Sequence, residues 1–363
     1  MPGRRILVRA PNWLGDMVMA LPAIRLVRRV EPEAHLAVAA PEGAATLFSF
    51  APDVDEVVPL PGAKGLSGLR RLSSDIARLE AARPDVALLL TNSFSSALAT
   101  TRAGIPERWG YRRDARGRLL TRAVRRRDAT PRSAHHSEYY VALVRALGLT
   151  AETGADAAGP APHAPASESG AAMPYLQATD EIRARADDEL EAAGWDRSRP
   201  LVGVAPGAAY GRAKQYPPDL MAALIGGLVA AGWTPLLLGA REDAAAGRAI
   251  VSALHQSGTR ARVLDMIGKT NLTMLVGLVD RCSAFVSNDS GAMHIAAALG
   301  TPVAAIFGST DERATAPIGP HVILRTDAWC RPCLLRECPI DHRCMRRIPP
   351  QTVVDAVERL SRM

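Results

Sequence analysis

A short polar loop near the amino terminus contains a carboxylate that is placed for acid–base chemistry. Residues 5–9 are apolar enough to predict a buried strand, the loop follows at 10–16, and a helical pattern starts at Asp16. Gly15 allows a tight turn, and the helix dipole favours a carboxylate in the first turn. Two interpretations remain open from the local sequence: Asp16 caps the helix, or it takes a proton from a hydroxyl group in a cleft.

A second loop has the composition of an anion site. In residues 204–217, small residues follow an apolar strand, and Lys214 stands just before the next helical pattern. Backbone N–H groups in such a loop can approach an anion closely, and lysine supplies a point charge for a phosphate. A solvated surface loop is the alternative interpretation.

A third polar cluster stands where a strand gives way to a helix. Residues 284–286 predict the strand and residues 292–299 predict the helix. Asp289 and Ser290 are placed to cap this helix, and its first N–H groups can bind an anion. His294 lies about one turn further on. A single histidine on a helix is usually structural, but the polar cluster before it favours a ligand-binding role.

Four cysteines lie close together near the carboxyl terminus. Cys330, Cys333, Cys338 and Cys344, with His342, fall within fifteen positions. These residues are sufficient for a tetrahedral structural zinc site. The spacing differs from that of a standard zinc knuckle, so a reduced cysteine cluster or a disulfide pair is the alternative.

Arginines are concentrated between residues 102 and 132, and they include Arg108, Arg112 and Arg113. This stretch forms either a solvated surface or an electropositive wall for an acidic ligand. It has no regular series of aromatic residues on which bases could stack, so it does not indicate a site for single-stranded nucleic acid. The Asp-x-Asp motif at residues 53–55 stands in a turn that enters a strand of the first half, and we discount it as a metal site.

Short apolar runs alternate with helical patterns in both halves of the chain, which predicts α/β domains with parallel sheets covered by helices on both faces. Two doubly wound, Rossmann-like domains would place a ligand cleft at the carboxyl ends of their strands. Strands are predicted at residues 5–9, 35–39, 54–60, 86–90, 201–205, 235–238, 261–264, 284–286 and 303–307.

Length and composition agree with two globular domains. The chain has 363 residues, of which 48% are hydrophobic and 22% charged, and one core rarely serves so long a chain. Residues 151–172 are rich in Ala, Gly, Pro and Ser, which is typical of a linker. The predicted organisation is a domain at 1–150, a linker at 151–175, a domain at 176–348 and a terminal helix at 349–363.

The chain has the features of a cytoplasmic protein that binds anionic partners. Its formal net charge is +7, which favours phosphorylated ligands, acidic membrane surfaces or nucleic acid. The first residues show no signal-peptide pattern. The uncharged run at 220–240 contains helix breakers near its middle, so it predicts a helix, a turn and a buried strand rather than a membrane span.

The motifs together resemble those of the glycosyltransferase family 9 heptosyltransferases. The resemblance spans nearly the whole chain, and its motifs are at residues 6–19, 108–112, 206–217, 287–294 and 307–310. It implies a GT-B fold, with an acceptor domain followed by a nucleotide-sugar donor domain that face each other across a cleft. It further implies inverting transfer of L-glycero-D-manno-heptose from ADP-heptose to the lipopolysaccharide inner core, as the second heptose.

The resemblance also implies roles for individual residues. Asp16 would be the general base, and Lys214 would contact the diphosphate of the leaving group. Asp243 would bind the ribose, with Glu242 as the alternative. The implied donor site comprises Asp243, Gly268, Leu272, Asp289, Ser290, Gly291 and His294, and the implied acceptor site comprises Arg108, Arg112 and Arg113.

The same resemblance implies no cofactor for catalysis and no nucleic-acid partner. The expected partners are ADP-heptose, the inner-core acceptor and, by peripheral contact, the cytoplasmic face of the inner membrane. One alternative is a GT-B transferase or epimerase for another nucleotide sugar, because phosphate-binding loops do not identify the sugar. The other is a basic nucleic-acid-binding protein, which explains the charge and the cysteines but not the small-residue loops at strand ends.

Overall fold

The chain forms two compact units in the structure, which is a computed structural model. One unit contains the described residues before position 151 together with Tyr175–Gln177, and the other begins at Ala178. The segment predicted as a linker therefore lies outside the described residues, except for Tyr175. The structure describes residues 3–61, 68–126, 135–150, 175–256 and 263–362.

The first unit contains a parallel sheet of six strands within its described ranges. The strands are β1 (Arg5–Arg9), β2 (His35–Pro41), β3 (Glu56–Leu60), β4 (Val86–Leu89), β5 (Glu107–Tyr111) and β6 (Arg122–Val124). Their order across the sheet is β3-β2-β1-β4-β5-β6. The chain thus winds outward from β1 to one side and then returns to continue from β4 on the other. The winding reverses between β1 and β4, and ligands bind at such a switch point in open α/β sheets.

Helices flank this sheet: α1 (Leu14–Met19), α2 (Leu21–Val30), α3 (Glu42–Ala45), α4 (Gly68–Ala81), α5 (Phe94–Arg102) and α6 (His136–Ala146). The helical pattern that starts at Asp16 predicts one helix, but the structure has two. α2 has Pro22 in its first turn, where the fixed φ and the absent N–H of proline suit a helix start and interrupt a helix interior. The break separates the loop-facing α1 from the longer helix α2, which packs against α6.

The second unit repeats the same winding. Its described strands are β7 (Leu201–Ala205), β8 (Thr234–Leu237), β9 (Leu264–Asp265), β10 (Ala284–Asn288), β11 (Val303–Ile306) and β12 (His321–Leu324). They are parallel and their order is β12-β11-β10-β7-β8-β9. The switch point therefore lies between β7 and β10. The two sheets confirm the predicted doubly wound α/β architecture.

The helices of the second unit include the predicted terminal one. They are α7 (Asp180–Ala192), α8 (Pro218–Ala230), α9 (Ala244–Gln256), α10 (Leu272–Asp280), α11 (Gly291–Leu299), α12 (Glu312–Thr315), α13 (Arg343–Arg346) and α14 (Pro350–Leu360). α14 buries Val353, Val354 and Val357 and packs against α8 and the sheet. The uncharged run at 220–240 is α8, a turn and β8, as predicted. Across the described ranges, no helix is long and apolar enough to cross a membrane.

Three strands are missing from the sequence prediction. β5 and β6 lie in the arginine-rich stretch, where charged side chains hide the apolar pattern, and β12 is a short strand at the edge of its sheet. The strand predicted at 261–264 is observed as β9, and its first two predicted positions lie outside the described residues. These differences leave the winding of both sheets unchanged.

Candidate active site

Asp16 lies at the switch point of the first unit, in the loop-facing first turn of α1. The N-cap of this helix is Trp13, which makes no side-chain cap bond within the described structure. Asp16 is three positions further on, so the helix-cap interpretation is wrong. Its carboxylate is partly exposed, at 28% of the side-chain surface. The position suits a base that must be reached by a ligand.

Two side chains from the first turns of α6 lie beside this carboxylate. The Tyr140 hydroxyl donates to Asp16 Oδ1 across 3.5 Å, and His136 Nδ1 lies 3.8 Å from the same oxygen. Burial and the nearby Asp16 charge raise the pKa of Tyr140 far above its ordinary value, so this hydroxyl stays a neutral donor. Both contacts involve Oδ1. Sequence reasoning missed both residues, because their link to Asp16 exists only in the fold.

The three arginines predicted for the acceptor site lie at opposite ends of β5. Arg112 and Arg113 are exposed at the carboxyl end of β5, on the same sheet edge as Asp16. Arg108 lies near the amino end of the strand, and its guanidinium donates to the backbone oxygens of Pro106 and Leu119. Its Nε and Nη1 are engaged there, at the opposite end of β5 from Arg112 and Arg113, so the structure does not bring the three predicted arginines together.

Arg116 is a buried arginine that fixes the edge on which Arg112 and Arg113 lie. It is fully buried, and burial lowers its pKa. Its Nε donates to the Tyr111 carbonyl over 3.0 Å, its Nη2 to Asn92 Oδ1 over 3.3 Å and its Nη1 to the Thr91 carbonyl. It therefore joins the ends of β4 and β5. The arginine-rich stretch thus contains a structural member that charge counting could not separate from the exposed ones.

In the second unit, Lys214 and Asp289 meet across the switch point. Lys214 follows β7, Asp289 follows β10, and Lys214 Nζ lies 2.7 Å from Asp289 Oδ2. Their side chains are only 14% and 5% exposed. Asp289 also accepts a hydrogen bond from the Thr315 hydroxyl over 3.3 Å. Asp289 and Ser290 were both predicted to cap α11. The N-cap is Ser290, and Asp289 instead holds the ammonium group of Lys214.

Asn288 attaches the loop after β7 to the end of β10. Its Nδ2 donates to the Pro206 carbonyl over 2.7 Å, and its Oδ1 accepts from the Tyr216 N–H over 3.0 Å. The side chain has no exposed surface. One buried amide therefore fixes both ends of the loop that carries Lys214. The only sequence signal for this role is a polar residue at the end of an apolar strand.

The first turn of α11 and the loop after β11 offer hydrogen-bond donors at the same edge. Ser290, as the N-cap, makes no side-chain bond to the α11 amides in the described structure, and Gly291 follows it. His294 is buried one turn further along the helix. The Ser309 and Thr310 hydroxyls are buried and find no hydrogen-bond partner among the described residues. Donors in this arrangement suit an oxygen-rich anion.

The remaining predicted donor residues lie at the ends of β8 and β9. Asp243 accepts from the Ala240 N–H over 3.0 Å, and a Cβ added at Gly207 would lie 2.1 Å from its Oδ1, so the two are in close contact. Burial raises the pKa of Asp243. Gly268 has a φ of +71° and donates its N–H to the Gly239 carbonyl. Leu272, half-buried, begins α10.

The four clustered cysteines surround a cavity of about 20 Å³, together with His342 and Ser309. All are free thiols, and burial and the neighbouring thiols raise the pKa of Cys344. In the described part of the chain, no group of three or more potential ligands is arranged to hold a metal ion. The predicted zinc site is therefore not supported.

Hydrogen bonds hold the cysteine segment in place instead. His342 Nε2 is 2.9 Å from the Ala213 carbonyl, and the Ala213 N–H donates to the Arg336 carbonyl. Arg331 donates to Gly308 and Glu312. These hydrogen bonds fix the segment that carries the cysteines, and the sequence did not predict them.

Comparison with known proteins agrees with this arrangement. The profile of Glycosyltransferase family 9 (heptosyltransferase) matches residues 74–343. Lipopolysaccharide heptosyltransferase 2 of Salmonella typhimurium is 35% identical over 318 residues, which are 86% of this chain and 85% of that protein.

Two solved structures share the fold over almost the whole chain. E. coli ADP-heptose LPS heptosyltransferase II has a TM-score of 0.75 at 28% identity, covering 98% of both chains. The glycosyl transferase family 9 protein from Veillonella parvula has a TM-score of 0.80 at 20% identity, covering 99% of this chain and 98% of that one. The two Rossmann-like units are thus those of the GT-B fold, and the chain belongs to glycosyltransferase family 9, the heptosyltransferases.

Proposed function

We propose that this glycosyltransferase moves L-glycero-D-manno-heptose from ADP-heptose to the lipopolysaccharide inner core, as the second heptose. The proposal is supported by relatives named lipopolysaccharide heptosyltransferase 2 that match 86% of the chain. The observation that carries the chemistry is the carboxylate of Asp16 at one switch point, oriented by Tyr140 and His136.

Asp16 acts as the general base in this proposal. The acceptor hydroxyl must lose a proton as its oxygen bonds to the sugar carbon of the donor. With Tyr140 and His136 beside Oδ1, the carboxylate keeps Oδ2 for that hydroxyl. A positioned base of this kind contributes roughly 10²- to 10⁴-fold to a rate. One direct displacement inverts the configuration at the sugar carbon.

Lys214 stabilises the departing ADP. Its ammonium has three donors, of which one is directed to Asp289, so the others can bond to diphosphate oxygens. The N–H groups at the start of α11 add the positive end of a helix dipole. These groups supply positive charge where negative charge accumulates, so the proposed reaction needs no metal ion. Asp243, Gly268 and Leu272 would hold the nucleoside, and Ser290, Gly291 and His294 would hold the diphosphate and heptose.

The acceptor would lie on the first unit, with its carboxylates and phosphates near Arg112 and Arg113. We further propose that the protein acts in the cytoplasm and contacts the inner-membrane surface peripherally, because its acceptor is a lipid-linked anion and its own net charge is +7. Attraction of this kind weakens with salt.

An acceptor panel tests the proposal. ADP-heptose is offered with delipidated inner cores that carry no heptose, one heptose or two, each with and without EDTA. We expect transfer to the core with one heptose, at a rate that EDTA leaves unchanged. Transfer only to the core without heptose, or no transfer from ADP-heptose, would contradict the proposal. Loss of activity in EDTA would contradict metal-independent catalysis alone.

A further inference from the structure

Two aromatic side chains are exposed at the switch point of the first unit. Among the described residues of that unit, the exposed large apolar side chains are Trp13, at 63%, and Phe94, at 47%. Trp13 follows β1 and Phe94 follows β4. These are the neighbouring strands between which the winding reverses, so both aromatics flank the crevice where open α/β sheets bind ligands.

Capping of the helix does not explain why Trp13 stands at the start of α1. It is the N-cap of α1 and, within the described structure, its side chain caps no helix amide. Ser, Thr, Asp or Asn at such a position would stabilise the helix by capping it. By contrast, α5 has the expected Ser93 cap, whose hydroxyl accepts from the Ser96 N–H, and Phe94 is the next residue. A large apolar residue that is exposed and breaks a local preference indicates a functional position.

Charge changes from negative to positive along the carboxyl ends of β1, β4, β5 and β6. Asp16 and Trp13 follow β1, Phe94 follows β4, Arg112 follows β5 and Arg126 follows β6. Neighbouring strands are about 4.8 Å apart, so the arginines lie roughly 10 to 15 Å along the edge from the loop that carries Asp16. Along this edge, the carboxylate comes first, the two aromatic side chains lie next to it, and the exposed arginines lie farthest from it.

Tyr139 of α6 joins these positions physically. Its ring lies 5.5 Å from that of Tyr140, the neighbour of Asp16, and Arg126 lies over it at 5.1 Å. Its hydroxyl accepts from Asn92 Nδ2, two residues before Phe94. One helix therefore holds the loops after β1, β4 and β6 in register.

We propose that Trp13 and Phe94 form a platform for the sugar ring that carries the attacking hydroxyl. The C–H face of a pyranose ring is apolar and slightly positive, and it complements the negative face of an aromatic ring. With that ring on the platform, its hydroxyl reaches Asp16 and the anionic groups one or two sugars away reach Arg112 and Arg126. This inference rests on the proposed function and adds the direction in which the acceptor lies.

The test measures steady-state transfer from ADP-heptose to the delipidated inner core with one heptose, for Trp13→Ala, Phe94→Ala and the aromatic replacement Trp13→Phe. We expect each alanine variant to raise the acceptor KM about tenfold or more, and the donor KM to stay within about twofold. Trp13→Phe should recover most of the acceptor affinity. Trp195→Ala, at an aromatic on the amino side of β7 in the other unit, is the matched control and should leave both KM values unchanged.

The possible outcomes distinguish failure of the platform proposal from failure of the proposed function. An unchanged acceptor KM in both alanine variants would overturn the platform while transfer by the unaltered protein still stands. Equal increases in donor and acceptor KM would overturn it too, because a general structural effect moves both. Weaker binding to anionic vesicles with an unchanged KM for the delipidated acceptor would make the aromatics a membrane contact. Absence of transfer by the unaltered protein would instead reject the proposed function.

Discussion

At the residue scale, the ion pair of Lys214 and Asp289 joins two loops that lie far apart in the sequence. Lys214→Met should weaken ADP-heptose binding and slow transfer together, by about 10²-fold in kcat/KM, because a charge at the leaving group is lost. Arg281→Met is the control, since it also removes one positive charge and breaks a 2.7 Å ion pair, with Asp187. Equal kinetics for the two variants would remove Lys214 from the site.

The proposed role of Asp243 in donor binding predicts a dependence on pH. Its carboxyl has a raised pKa because it is buried, so it takes up a proton at a higher pH than an ordinary aspartate. The ionised form accepts hydrogen bonds from ribose hydroxyls better than the neutral form, so the donor KM should rise as pH falls from 7 to 5. Asp243→Asn should show a raised KM with this dependence lost. A pH profile identical to that of the unaltered protein would contradict the assignment.

The cysteines should react in an order set by burial. Burial raises the pKa of Cys282 to about 12 and raises that of Cys344, while Cys330, Cys333 and Cys338 are partly exposed. Because the thiolate is the reactive form, iodoacetamide at pH 8 should label these three first and Cys282 last, as followed by peptide mass spectrometry. Protection of the three until a chelator is added would show a bound metal and contradict the free-thiol cluster.

At the scale of elements, α7 and α10 pack through a glycine. A Cβ at Gly277 would lie 2.7 Å from Ile182 Cγ2 and 2.9 Å from the Ile182 carbonyl oxygen. Gly277→Ala should therefore lower the free energy of unfolding by about 1–3 kcal/mol through overpacking. Gly43→Ala in α3, where an added Cβ meets nothing within 4 Å, should be neutral or slightly stabilising. Urea denaturation that ranks the two variants in the opposite order would reject this packing.

The sequence predicts elements where one pattern dominates. Apolar runs such as residues 201–205 and 303–307 predict strands because both sheet faces are covered. β5 escapes prediction because Glu107 and Arg108 obscure the apolar pattern of Trp109 and Tyr111. The predicted first helix is really two, since proline marks the start of α2 without fixing where α1 ends. Local sequence patterns thus predict that a buried helix or strand exists better than they predict where it begins and ends.

At the scale of the whole molecule, the winding of both sheets and the location of the binding edges follow from the alternation of strands and helices. The pairing of Lys214 with Asp289, the role of Asn288 and the neighbours of Asp16 do not. They depend on contacts between segments 72 to 124 positions apart, and no local propensity encodes such contacts. The separation of Arg108 from Arg112 and Arg113 was not predicted because β5, the strand that separates them, was not predicted.

The proposed chemistry depends above all on Asp16, which we propose takes the proton of the acceptor hydroxyl. The most direct measurement is single-turnover transfer from ADP-heptose by Asp16→Asn, alongside equilibrium binding of the donor. The control is Asp53→Asn, which breaks the ion pair with Arg25 in the turn before β3 and should keep full activity. We expect a loss of about 10³-fold in the transfer rate with donor affinity unchanged. Transfer by Asp16→Asn at the unaltered rate would contradict it.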